Sequence, residues 1–208
     1  MKIRIAVGLL AVVLLAGCGP QADPEPTPTP TASETPSPTP TVEPEPEPDL
    51  SDPSNWIIDF DAVGPLTIGQ PIADARAAAV DYVENEPVPD CRVAFMNRGG
   101  FPSLALAYWP DEALTYIMVR SLPDVSGIPT ADLVAVSPRT VEGIGMGSTQ
   151  DALLAAYPDL TTVRDDGAGT FAMYSLAGAT RYLVFTITDG LVNSITINST
   201  GMLPGELC

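Results

Sequence analysis

"GIGMGSTQDALLAAYP", residues 143–158, sets Gly143, Gly145 and Gly147 at every second position ahead of Ser148, Thr149 and an apolar run of helical spacing. A phosphate-cradling loop opens in the same way, with backbone donors presented at a helix N-terminus. The other explanation is geometric, since glycine permits positive φ and lets a strand come close to a helix start. A second copy separates the two. "VGPLTIGQPIADARAAAVDY" (63–82) aligns without a gap to "VEGIGMGSTQDALLAAYPDL" (141–160), Gly69 meeting Gly147, Ile68 meeting Met146, Leu66 meeting Ile144 and Ala75 meeting Leu153. A feature that occurs twice belongs to how the chain is built before it belongs to a ligand.

Both copies lead into segments rich in β-branched and alternating residues. After the first come "RVAFMN" (92–97), "SLALAYW" (103–109) and "LTYIMVRS" (114–121). After the second come "TTVRD" (161–165), "TFAMYSL" (170–176), "RYLVFTIT" (181–188) and "LVNSITINS" (191–199), with Asp166-Gly167 and Asp189-Gly190 as hairpin signals between them. The expected fold class is therefore α+β: two tandem units, 54–140 and 141–208, each a short helix followed by an antiparallel β-meander, within one compact domain. The helices are expected over about 72–83 and 149–157, with Pro71 in the first turn of one and Ser148 or Thr149 capping the other.

Alternation assigns faces. Leu191, Ile195 and Ile197, with Leu183, Phe185 and Ile187, point toward the helices. Ser194, Thr196 and Asn198, with Tyr182, Val184, Thr186 and Thr188, point away. On this assignment Trp109, Tyr116, Arg120, Tyr174 and Tyr182 lie on the face away from the helices, and Trp, Tyr and Arg are the side chains that protein-binding hot spots favour. Cross-strand stiffening is the structural alternative. Trp56 reads as a core plug at the domain's start.

The chain's beginning concerns location. Lys2 and Arg4 precede a nearly all-apolar run from 5 to 15, a secretory signal pattern, and the run is too short to span a bilayer. Leu15-Ala16-Gly17-Cys18 matches the bacterial lipobox, which implies a signal peptide of 1–17 and a lipidated Cys18 as the mature N-terminus, anchored on the outer face of the cytoplasmic membrane. Residues 18–53 then form a Pro/Thr/Glu-rich stalk, extended and without a core of its own, whose thirty-five or so residues reach on the order of 100 Å.

Charge and missing residues narrow the function. The chain carries 9 Lys and Arg against 26 Asp and Glu, a net charge of −17, and removal of the two basic signal residues takes it to −19. Nucleic acid is therefore a poor partner, and the membrane is met through the lipid. There is no histidine, and the single lysine is Lys2. His-activated nucleophiles, His-bearing zinc sites, Schiff-base lysines and a P-loop lysine are thereby excluded. No cofactor, metal or catalytic residue is indicated. Asp165-Asp166 and Asp189-Gly190 lack the alternate-position ligands of a calcium loop and read as turns, and Asp59 and Asp61 as solvent-side strand residues. With Cys18 assigned to lipid, Cys91 and Cys208 remain as a pair in an oxidising compartment and read as one disulfide, two separate thiols being the alternative.

The arrangement resembles the tandem fold of the β-lactamase-inhibitory-protein type, shared by BamE/SmpA-like lipoproteins. Gly145-Met146-Gly147-Ser148-Thr149 carries the likeness and Thr67-Ile68-Gly69-Gln70-Pro71 follows it more loosely. It also resembles the proline-stalked lipoproteins of high-GC Gram-positive bacteria, which often pair a mid-domain cysteine with a C-terminal one. The resemblance implies inhibition or scaffolding, not catalysis. The expectation is a membrane-anchored interaction domain, non-enzymatic, that binds a protein or cell-wall component through a sheet face. A carboxylate-only hydrolase of envelope polymer and a purely structural envelope protein are the alternatives.

Overall fold

Period-two alternation governs the long strands of the described residues. The computed structural model describes residues 47–109, 112–121 and 130–201, all within the unit Glu45–Cys208. In chain order the elements are β1 (Ile57–Ile58), β2 (Ala62–Val63), β3 (Leu66–Thr67), α1 (Ile72–Ala78), β4 (Val83–Glu84), β5 (Val93–Asn97), β6 (Ser103–Tyr108) and β7 (Leu114–Arg120). Then come α2 (Thr130–Val136), β8 (Arg139–Thr140), α3 (Gln150–Ala156), β9 (Thr161–Asp165), β10 (Phe171–Ala177), β11 (Tyr182–Thr188) and β12 (Leu191–Asn198).

The expected class is corrected by this order. Twelve strands in two sheets stand against three helices of seven residues each among the described residues, so the domain is mostly β and not an α+β pair of tandem helix-plus-meander units. The large sheet runs β4-β5-β6-β7-β12-β11-β10-β9 without a break, antiparallel throughout, and a small sheet runs β3-β2-β1-β8. The large sheet is continuous across β7 and β12, which pair through Ile197 with Ile117, Thr196 with Met118, Ile195 with Val119 and Ser194 with Arg120.

The helices are two turns long for local reasons. α1 starts after Pro71, which suits a first turn. It stops at Ala78 and not at the expected 83, because Asp81 takes φ +64 and turns the chain so that Val83 pairs with Asn97. α3 is capped by Thr149, whose hydroxyl accepts from the Ala152 amide at 3.1 Å.

The main core lies between the large sheet, the helices and the small sheet. Leu104, Leu106, Ile117 and Val119 from one part of the sheet and Leu183, Phe185, Ile195 and Ile197 from the other meet Ile72, Ala75 and Leu153 of the helices. Val192, not Leu191, completes this face, because a bulge between Thr186 and Ile187 shifts the β11–β12 register. Trp56 is buried as expected, its ring 5.9 Å from that of Tyr82 and its indole N–H donating to the Leu50 carbonyl at 2.8 Å. Gly64, at φ +54, closes over the indole, where an added Cβ would come within 2.3 Å of its Cγ. Gly178 does the same for Phe60 at 2.6 Å, and the Arg181–Asp61 ion pair ties the same region to the loop between β1 and β2.

Candidate functional site

Most backbone donors of the glycine-rich stretch are engaged within the fold. Ile144 N–H donates to the Thr140 hydroxyl, Gly145 N–H to the Ser148 hydroxyl and Met146 N–H to the Ser137 hydroxyl, at 3.0–3.2 Å. Gly147 N–H donates to the Val192 carbonyl at 2.8 Å and Gln150 N–H to the Gly190 carbonyl at 2.9 Å. Gly143 and Gly147 take φ of +83 and +80, and a Cβ at Gly145 would lie 2.9 Å from the Arg139 side chain. The stretch at 63–82 makes the same kind of contact, with Gly69 N–H donating to the Leu114 carbonyl at 2.7 Å and Leu114 N–H to the Gln70 carbonyl at 2.8 Å. These glycines dock loops onto strand starts.

The face of the large sheet turned away from the helices is more informative. Register places Phe95, Ala105, Met118, Thr196, Val184 and Ser175 in one row across β5, β6, β7, β12, β11 and β10. Ser103, Arg120, Ser194 and Thr186 form the next row. Val93, Ala105, Tyr116 and Met118 make a second apolar cluster here, with Cys91, Phe95 and Ala107 against it.

The five aromatic and basic residues expected on this face separate. Trp109 is exposed, 60% of its surface open, and the Arg92 guanidinium sits 4.5 Å above its ring. Tyr182 is half-buried and opposite Asn198. Tyr116 belongs to the outer cluster but is buried, so it is corrected from a contact residue to a covered one. Burial pushes its phenol up to about 12, with Thr196 and Arg120 working the other way. Tyr174 is on the wrong face in the sequence reading: it joins the main core, and its hydroxyl accepts from Gln150 Nε2 at 2.6 Å. Residues 171–176 are apolar on both faces except for Ser175, so alternation could not orient them.

Arg120 is the remaining member, and it lines a cavity of ≈ 260 Å³ with Asn85, Phe95, Asn97, Ser103 and Leu104. The Asn97 amide donates to Asn85 Oδ1 at 2.6 Å while its own Oδ1 accepts from the Ser103 hydroxyl at 2.6 Å. Arg120 is half-buried, and no carboxylate of the described residues is within ion-pair reach of it. A guanidinium beside amides, a hydroxyl and a phenyl ring is suited to a planar anionic group. The sequence reading missed Asn85, Phe95, Asn97 and Ser103. Alternation in 92–97 and 103–109 puts the last three on the face of Arg120, and extending the strand-face assignment to those runs would have found them.

A second cavity, of ≈ 360 Å³, is lined by Ile58, Asp59, Phe60, Val141, Glu142, Tyr157, Leu176 and Leu183. It holds two acids. Glu142 accepts from the Tyr157 hydroxyl, which burial and this carboxylate push upward in pKa, while Asp59 Oδ1 accepts the Asp61 and Ala62 amides at 2.7 Å. The aspartates of the β9–β10 turn are engaged as turn residues: Asp165 accepts from Gly167 N–H at 2.8 Å and Asp166 from Ala168 N–H at 2.9 Å. Bonds from the Thr170 hydroxyl and the Ala168 amide lower the Asp166 pKa. Among the described residues no three His, Cys, Asp or Glu side chains are grouped to hold a metal.

Cys18 and Cys208 lie outside the described residues, while Cys91 is disulfide-bonded. No helix among the described residues is long and apolar enough to cross a membrane. No protein-family model matches the chain, and no curated protein matches it. Among solved structures, a DUF4309 family protein, YjgB, from Bacillus subtilis is similar at a TM-score of 0.50 and 15% identity, over 73% of this chain and 95% of that one. At that identity the likeness is one of fold.

Proposed function

We propose that the chain is a membrane-anchored extracytoplasmic lipoprotein whose β domain is a non-enzymatic binding module for a carboxylate-bearing protein or envelope component, taken at Arg120. The observation that carries this reading is the cavity at Arg120: a half-buried guanidinium without an acidic partner among the described residues, flanked by Asn85, Asn97, Ser103 and Phe95. In a chain of net charge −17, a guanidinium left unneutralised in a cavity is available to an anion from outside. The signal pattern, the lipobox at Cys18 and the proline-rich 18–53 support display on the outer face of the cytoplasmic membrane, lifted from it by the stalk.

Titrating the full-length lipoprotein in detergent with soluble, carboxylate-bearing cell-wall fragments tests the site. Arg120→Gln should weaken binding at least tenfold, because a charge-assisted hydrogen bond to a carboxylate is worth roughly 1.5–3 kcal/mol. Equal affinity of the two proteins would refute the site. Replacing Cys18 with Ser should in parallel release the protein from membranes.

A second reading is supported by the cavity that holds both Asp59 and Glu142, the minimum for a carboxylate-only hydrolase. Hydrolysis of envelope polymer that Glu142→Gln abolishes and Arg120→Gln spares would favour it.

A further inference from the structure

The cavity of ≈ 360 Å³ has apolar walls and two carboxylates, and its size is that of a small-molecule site. β1 and the loop after it, the turn after β8, the end of α3, and β10 with β11 supply its lining. Ile58 and Leu183 are buried, Phe60 and Leu176 half-buried, and Val141 has 77% of its surface open. An open valine beside two half-buried apolar side chains leaves surface that the apolar part of a ligand would take out of water.

The polar side chains of this lining are left as acceptors. Glu142 stands in the centre of the Thr140–Gly143 turn, which the Gly143 amide closes by donating to the Thr140 carbonyl at 2.8 Å, and the Tyr157 hydroxyl donates to its Oε2. Burial and this carboxylate keep the phenol protonated, so its one hydrogen is committed. Asp59 Oδ1 accepts the Asp61 and Ala62 amides, which leaves its Oδ2 open. Neither carboxylate has an arginine within ion-pair reach among the described residues, whose ion pairs are Arg76–Glu84, Arg98–Asp81 and Arg181–Asp61. Histidine is absent and the single lysine is Lys2. Two carboxylates fixed beside an apolar cavity without a cation are complementary to one from outside.

We propose that this cavity binds a small apolar primary amine, its ammonium taken by Glu142 and Asp59 and its apolar body lying against Phe60, Val141, Leu176 and Leu183. An ammonium has three donors and no acceptor, which suits a set of oxygens that only accept. An alcohol of the same shape lacks the charge, and a bare cation gains nothing from the apolar walls. An anion is repelled by both carboxylates and by a chain of net charge −17. The turn, the phenol and the two amides hold the carboxylates in place before the ligand arrives, which lowers the entropy lost on binding. The site is separate from the one at Arg120, with which it shares no lining residue, and it requires Asp59 and Glu142 to bind and not to hydrolyse.

Titrating the full-length lipoprotein in zwitterionic nanodiscs with phenethylammonium tests the site, read from the methyl resonances of Val141, Leu176 and Leu183. Saturable shifts at these methyls are expected, with 2-phenylethanol and methylammonium each binding about fivefold or more weakly. Glu142→Gln should weaken the amine by about fivefold or more, and Arg120→Gln should leave its affinity unchanged. Glu142 is exposed, so its replacement leaves the core packed, which unchanged methyl resonances of Ile117 and Ile195 would report. Absent or unsaturable shifts at the three methyls overturn the proposal. So does equal affinity for the alcohol, equal affinity of the wild type and Glu142→Gln, or a loss that follows Arg120→Gln instead.

Discussion

Tyr116 shows what a single side chain gains and risks on the outer face. Its ring fills the cluster of Val93, Ala105 and Met118, while its hydroxyl, beside Thr196, makes no hydrogen bond of good geometry. Burial favours the neutral phenol, which raises its pKa in the folded protein to about 12, against about 10 in an unfolded chain. The unfolded state therefore gives up its proton first, and stability falls as pH climbs from about 10 to about 12. Tyr82 and Tyr157 shift in the same direction through burial and add to the loss. Urea denaturation at pH 8 and near pH 12 should show Tyr116→Phe losing less stability than the wild type, by on the order of 2 kcal/mol. An identical pH dependence in the two proteins would place the phenol in water.

At the level of elements, starts and stops separate what the sequence discloses from what it hides. The entry to α3 was legible because Thr149 combines a capping hydroxyl with an apolar run directly after it. Its hydroxyl accepts the Ala152 amide, so Thr149→Ala should cost about 1 kcal/mol in thermal or chemical denaturation. A change within error would mean the cap is dispensable. The end of α1 was not legible, because an alanine-rich run gives no sign that Asp81 will adopt positive φ and hand Val83 to a strand. Likewise the β11–β12 bulge, which puts Val192 in the core in place of Leu191, depends on pairing and not on local pattern. Strand faces could be read where one side is polar, as in 194–198, and failed at Tyr174, where both sides are apolar. The cavity at Arg120 needed three strands in register, which no single run displays.

For the whole molecule the decisive contact is the pairing of β7 with β12. Within the large sheet it is the one junction between strands drawn from 83–120 and strands drawn from 161–198 among the described residues. Ile117, Val119, Ile195 and Ile197 cross it on the core side, all fully buried, so separating the two sets of strands would expose one continuous core. At about 25 cal/mol per Å² of apolar surface, exposing four such side chains costs several kcal/mol before any strand frays. That is comparable to the whole margin of stability of a domain this size, so neither set should persist without the other. Unfolding is then expected to be a single transition. Trp56 and Trp109 both lie in the earlier part of the chain, so tryptophan fluorescence reports on that part, while far-UV circular dichroism reports on both. Urea midpoints from the two probes should coincide, and Val119→Ala and Ile195→Ala should each lower both midpoints together, by about 2–4 kcal/mol in stability. A dichroism transition that continues after the fluorescence change is complete would mean that β9–β12 stand alone, and the β7–β12 seam would then be a docking of two stable parts and not the centre of one core.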